Sequence, residues 1–425
     1  MPGTRARPSP DEGGAPPCPR PLFPEDLVTA PSLLSPAVRN YPWGSRTAIP
    51  ALLRQRPDGE PQAELWFGAH RAAPSLLPDR PGSPDLAAAI TADPVRELGE
   101  ASLAAHGPEL PFLLKLLGAE RALSVQVHPT RRQAQNGHDR EEAAGVPLDA
   151  PHRAFKDRNH KPELLCALEP FEALCGFREP ARTAELLDAL AVPELRRWSA
   201  VLRSRPAREA LSRTLRAALC ARERLVHAVS AALPRLTASP GPWSNAGAAY
   251  TTVAEDYPGD PGILAALLLN HVRLDAGEAL YLGAGVPHAY LRGTGVEIMA
   301  NSDNVLRCGL TDKHVDIAQL ADIVDYVPMG PAIMRPTPTG LAGESQFCFP
   351  TEEFVLSRLE TGTETVSVTD PGPQVLLCLV GQVRLTPGPP LCRGAAAFVP
   401  AGSPCEVTGA GAVLYRARVP LCAAP

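Results

Sequence analysis

Gly277-Glu-Ala-Leu-Tyr-Leu-Gly283-Ala284-Gly285-Val286-Pro287-His288 recurs further along the chain as Gly394-Ala-Ala-Ala-Phe-Val-Pro400-Ala401-Gly402-Ser403-Pro404-Cys405. In each copy a glycine and five residues precede a Gly- or Pro-x-Gly corner, and a histidine or cysteine follows after two intervening residues. Each reads as a strand, a tight corner and a second strand, because glycine and proline supply the turn dihedrals between two extended runs. Two such units predict two β domains of like build, and two repeats are too few for a solenoid.

Strand-like patterning surrounds both corners. From Leu33 to about Glu179, short apolar runs are punctuated by Gly, Pro and Asp. Ala122 to His128 alternates, placing Leu123, Val125 and Val127 on one face and Ser124, Gln126 and His128 on the other. Residues 180–270 read differently. Pro180, Pro193 and Pro206 sit where helices can begin, Leu211, Leu215 and Leu219 recur one turn apart, and Asp260-Pro261 reads as a cap and first helical position. After His271 the strand pattern resumes. The fold expected is mostly β with a helical insertion. Residues 31–179 and 271–329 would form the first barrel domain, 180–270 the helical domain and 330–425 a second barrel. Residues 1–30, with eight prolines before Glu25, read as a disordered tail.

The 425 residues exceed one ordinary core, at roughly 150 residues per domain. With 41 basic and 46 acidic side chains the net charge is −5, which argues against a chain-wide nucleic-acid footprint. The longest strictly apolar run, Ile263 to Leu269, is too short to span a bilayer, and the first residues lack the apolar core of a signal peptide. Ten scattered cysteines without a CxxC pair fit reduced thiols in a cytoplasmic enzyme. The sequence sets no oligomeric state.

Gln126 and His128 project from one strand face and His288 follows a corner, which offers an amide oxygen and two imidazole nitrogens to a divalent ion. Glu163, in His160-Lys161-Pro162-Glu163, could add a carboxylate. Taken singly, each also fits a hydrogen-bonded packing residue or a solvated carboxylate; the spacing beside the corner is what unites them. Glu297, Asp303, Asn304, Arg307, Asp312 and Lys313 crowd the stretch after His288. They read either as a solvated loop or as an edge that binds an anion, a task suited to arginine and lysine beside a metal.

The Gly277 and Gly394 corners resemble the second sequence motif of the cupin barrel, and that resemblance implies two cupin-like, double-sheet jelly-roll barrels. A wider resemblance lies in Asn40-Tyr-Pro-Trp-Gly44, Ala63-Glu-Leu-Trp-Phe-Gly68, Leu110-Pro-Phe-Leu-Leu-Lys115, Ala122-Leu-Ser-Val-Gln-Val-His-Pro129, Asp157-Arg-Asn-His-Lys-Pro-Glu-Leu164 and Phe171-Glu-Ala-Leu-Cys-Gly-Phe177. With Gly285-Val-Pro-His-Ala-Tyr290, Asn301-Ser-Asp-Asn304 and Gly309-Leu-Thr-Asp-Lys313, these resemble the type I mannose-6-phosphate isomerase family, in order, from about residue 33 to the C-terminus. Pro42, Arg71, Arg158 and Leu164 depart from that family's common residues.

The resemblance implies a zinc enzyme, with one zinc per chain on Gln126, His128, Glu163 and His288. It implies Arg307 as the active-site arginine and Ser124, Lys115, Lys161, Glu297 and Lys313 as pocket positions. The partner implied is a small sugar phosphate. Mannose 6-phosphate and fructose 6-phosphate would interconvert through a cis-enediol(ate), the base being Glu297, Lys161 or a metal-bound water. The C-terminal barrel, with Cys405 where the first has His288, would lack a metal site. Two rivals compete: another metal-cupin enzyme of the dioxygenase type, and a non-catalytic sugar-phosphate-binding regulator. Gln126-Val127-His128 in place of His-x-His argues against the first, and the full ligand set with Arg307 against the second.

Overall fold

The structure, a computed structural model, describes residues 30–82, 84–238 and 240–421. The expected tail, apart from Ala30, lies outside the described residues.

The strand His288–Ala300 is the spine of an eleven-stranded sheet. Its first half pairs with Gln126 and with Glu172–Cys175, and its second half with Phe112–Ala119 on one edge and Glu163–Ala167 on the other. All eight residues of Phe112–Ala119 are buried, as a strand covered on both faces should be. A seven-stranded sheet and a four-stranded sheet follow in the C-terminal part. The first described strand, Ser32–Leu34, joins this C-terminal part by pairing with Ala396–Phe398.

The two corners share a backbone solution. Gly277, Gly285, Gly394 and Gly402 all hold positive φ, at 88°, 77°, 84° and 66°. Only glycine takes that conformation without steric cost, so the same device closes both turns. Strands Ala279–Leu282 and His288–Ala300 flank the first corner, and Ala396–Val399 and Glu406–Thr408 the second.

Residues 180–270 hold Pro180–Ala189, Arg196–Ser204, Ala207–Leu219, Glu223–Ala232, Ser244–Asp256 and Gly262–Ala266 as helices. Pro180 takes the first helical turn as expected, while Pro206 and Pro261 sit at the cap, one residue earlier than expected. Asp260 still accepts from Gly262 N (2.6 Å). Leu211 and Leu215 are buried in the core that these helices share with Val125 and Val127, and Leu219 packs against it. Each fully buried leucine of that kind stabilises the fold by roughly 1.5–3 kcal/mol.

Two readings change. The stretch 122–128 is strand only at Gln126–Val127. Leu123 N donates to Tyr290 O (2.8 Å) but Val125 N donates to Gly309 O (3.1 Å), so the segment bridges two partners and never builds one long ladder. Leu123 consequently leaves the Val125–Val127 face and packs with Phe171 and Tyr290. The stretch read as strands also contains helices Leu86–Ala92, Pro94–His106 and Arg131–Ala143. Their caps are visible in the sequence: Asp85, Asp93 before Pro94, and a Thr130–Gln133 capping box. No helix among the described residues is long and apolar enough to cross a membrane.

Candidate metal centre and active site

Register builds the centre. Gln126 lies opposite His288 on one edge and opposite Arg307 on the other. Glu163 opens the strand that pairs along the far half of the spine, opposite Met299. Hydrogen bonds then aim the rings: His128 Nδ1 lies 2.8 Å from Asn304 O, and His288 Nδ1 lies 3.0 Å from Val286 O. A ring nitrogen facing a carbonyl must donate, which makes Nε2 the nitrogen of each ring able to offer a lone pair. Those Nε2 atoms each stand 3.4 Å from an oxygen of Glu163.

The three donors lie within 4.8 Å of one another, and all three residues are buried. Among the described residues, buried His128 Nε2 has no hydrogen-bond partner, which is costly unless something else occupies that nitrogen. Burial lowers the His128 pKa to about 4. Burial opposes ionisation of Glu163, but Lys161 and His128 hold its carboxyl well below the usual range. Two imidazoles around an anionic carboxylate form a donor set suited to zinc or a similar borderline divalent ion. Gln126 Nε2 donates to Ser124 Oγ (3.2 Å), which leaves the amide oxygen as the atom able to join this set.

Asn304 is the clamp behind the centre, fully buried. Its side-chain oxygen accepts from Lys156 N (2.7 Å) and Asp157 N (3.2 Å). Its amide donates to Asp157 O and Asn159 O, both at 2.8 Å. One side chain therefore fixes the loop before Lys161 while its own carbonyl orients His128.

The other expected positions divide into two groups. Lys115 and Glu297 face each other across the register and form a buried ion pair at 2.8 Å, with Glu64 3.5 Å from the same ammonium. Burial disfavours the Lys115 charge, yet Glu297 and Glu64 keep its pKa above the ordinary value. Its ammonium is thus committed to carboxylates. Lys161 Nζ, mostly buried, lies 3.0 Å from Glu163 Oε1. Among the described residues, neither Arg307 nor Lys313 forms an ion pair with a carboxylate. Burial lowers both, and the cations Arg307 and Lys156 lower Lys313 further. Lys156 also acts on Asp303, but Arg307 sits close enough to Lys313 to disfavour its charge, and such gathered cations suit a phosphate.

Of the remaining charged stretch, Asp303 meets His70 Nε2 at 3.3 Å and Arg71 Nη2 at 3.6 Å, while Asp312 is exposed. Arg71 thereby acquires a role, whereas Arg158 pairs with exposed Asp139. Lys156 and Tyr290 had not been singled out in the sequence. Tyr290 is 4% exposed, its hydroxyl faces the Glu297 carboxylate, and burial, Glu297 and Glu163 raise its pKa well above normal. It stands two residues after His288 on the same strand, so period-two spacing could have found it. A cavity of about 760 Å³ has His70, Lys156, Asn159 and Ser302 in its wall, two of them hydrogen-bonded to Asn304 through their backbone, but none of the four expected ligands lines it.

A sheet-borne, buried His–Glu–His set of this kind can hold a metal ion, and comparison with known proteins gives the family. Residues 32–180 match the family described as phosphomannose isomerase type I, catalytic domain. Mannose-6-phosphate isomerase of Salmonella typhimurium is 38% identical over 385 residues, covering 88% of this chain and 96% of that protein. The Escherichia coli K12 protein of the same name is 38% identical over 387 residues, with the same coverage. A zinc-bound crystal structure of mannose 6-phosphate isomerase superposes with a TM-score of 0.84 at 37% identity, covering 92% of this chain and 100% of that one. The chain belongs to the type I phosphomannose isomerase family.

Proposed function

We propose that this chain is a zinc-dependent aldose–ketose isomerase interconverting mannose 6-phosphate and fructose 6-phosphate. The observation that carries the reading is the bare, buried Nε2 of His128 facing Glu163 and His288, in a chain 38% identical to mannose-6-phosphate isomerases over most of its length.

His128, Glu163, His288 and the Gln126 amide oxygen would hold one zinc. Bound there, the metal supplies Lewis-acid polarisation of a sugar oxygen. The protein supplies the rest. The cis-enediol(ate) route needs a proton taken from C2 and returned at C1, and Glu297 and Lys161 are the side chains proposed to carry it. Lys115 fixes the Glu297 carboxylate, and Ser124 fixes the Gln126 amide. Tyr290, a protonated donor in a dry site, can hold a sugar hydroxyl. Arg307 orients the reacting oxygens, and Lys313 with Lys156 receives the phosphate.

The domain layout proposed is two cupin-like barrels, 31–179 with 271–329 and 330–425, around a helical unit at 180–270, with Ser32–Leu34 lent to the C-terminal sheet. The matched glycine corners and the shared helical core support it. The cytoplasm is the proposed compartment.

Elemental analysis joined to a coupled isomerase assay tests the function. One zinc per chain is expected, with turnover abolished by a chelator and restored by zinc. Turnover that survives complete zinc removal, or zinc-loaded protein without isomerase activity, would overturn the reading.

A further inference from the structure

We propose that Glu353, contributed by the C-terminal part of the chain, is a positioning residue for the metal centre; the role rests on the metal-centre reading above. Glu353 is 2% exposed. Its carboxylate accepts from His160 Nε2 (2.7 Å), from Thr351 Oγ1 (2.5 Å) and from Arg131 Nη2. Those donors have telling addresses. Arg131 opens the helix that follows His128-Pro129-Thr130, and His160 begins His160-Lys161-Pro162-Glu163. One carboxylate therefore ties the segment leaving one metal-facing residue to the segment arriving at another.

The loop that carries Glu353 is itself held against the same sheet. Tyr281 donates its hydroxyl to Pro350 O (3.2 Å) and stacks on Phe349 with centroids 5.4 Å apart. Tyr281 lies opposite Leu164, and the next residue, Leu282, opposite Glu163. Phe354, directly after Glu353, is fully buried in the core shared by the N-terminal and C-terminal sheets. Glu353 is thus anchored from both sides. Burial opposes its charge, yet His160, Thr351 and Arg131 hold its pKa down at about 2. A carboxylate kept ionised behind a metal-bearing segment orients it, as outer partners of metal ligands generally do.

The contrast lies deeper in the C-terminal part. Glu344 accepts from Arg416 (3.0 Å) and Ser357 (2.6 Å), and Arg416 also bonds Asp370 (3.2 Å). That cluster satisfies itself and contacts no residue of the metal centre, so it reports stability alone.

The test compares E353Q and E353D with E344Q in the full chain. Three quantities are read: zinc affinity by chelator competition, kcat and KM for mannose 6-phosphate, and the melting temperature of metal-free protein. E353Q is expected to weaken zinc binding about 10–100-fold and to lower kcat while KM stays within about twofold. E353D should recover part of both losses, whereas E344Q should lower only the melting temperature. Unchanged zinc affinity and kcat in E353Q, beside a zinc-binding wild type, would overturn this role alone. Equal zinc loss in E344Q would reduce it to general destabilisation, and a wild type without zinc affinity would bring down the metal-centre reading with it.

Discussion

Gln126 lies directly opposite His288 across an antiparallel pair, and its strand is only two residues long. Its other edge faces Arg307. This short strand therefore places a proposed metal ligand between another ligand and the proposed catalytic arginine. Nothing in a two-residue strand enforces such precision locally; the partners on either side do so.

Arg307 is expected to act on the reacting oxygens without holding the metal. Arg307→Ala should keep one zinc and lower kcat and kcat/KM together, by about 100-fold or more, as loss of a transition-state contact does. Steady-state kinetics beside elemental analysis checks this. A rise in KM alone would make Arg307 a substrate clamp.

Lys115 separates support from substrate contact. Lys115→Ala leaves Glu297 and Glu64 buried without their common cation. Breaking a buried pair from one side costs about 3–5 kcal/mol, and that loss should appear in denaturant unfolding. A variant of full stability with only a higher KM would show that Lys115 serves the phosphate.

Acid should destabilise the metal-free protein through His128. Its folded pKa of about 4 lies below the ordinary 6.5, so between those values the unfolded chain binds more protons. Stability is therefore complete above pH 6.5 and declines as pH falls toward 4, by about 2 kcal/mol at pH 5. Glu163, also lowered, adds a loss of the same sign only below its ordinary 4.5. Melts of chelated protein at pH 7 and pH 5 measure the slope, and His128→Asn should flatten it. An unchanged slope in that variant would assign the acid sensitivity elsewhere.

Much of the centre was legible because its signals are local. The two-residue spacing of Gln126 and His128 and the corner before His288 need no knowledge of distant partners. Tyr290 carried the same signal, hidden because a tyrosine on a strand reads first as packing. The Lys115–Glu297 pair spans 182 residues, and only the finished register shows that Lys115 is consumed by it. The pairing of Ser32–Leu34 with the C-terminal sheet and the reach of Glu353 to His160 are equally non-local. The helices after Asp93 and Thr130 are a different case. Their caps were present, but the Gly, Pro and Asp punctuation around them favoured a strand reading.

His288→Ala tests the central claim most directly. Removing one donor from a buried site with so few fixed ligands should take zinc from one per chain to near zero, and isomerase turnover should fall with it. Protein with His288→Ala that kept one zinc and full conversion of mannose 6-phosphate would contradict the account.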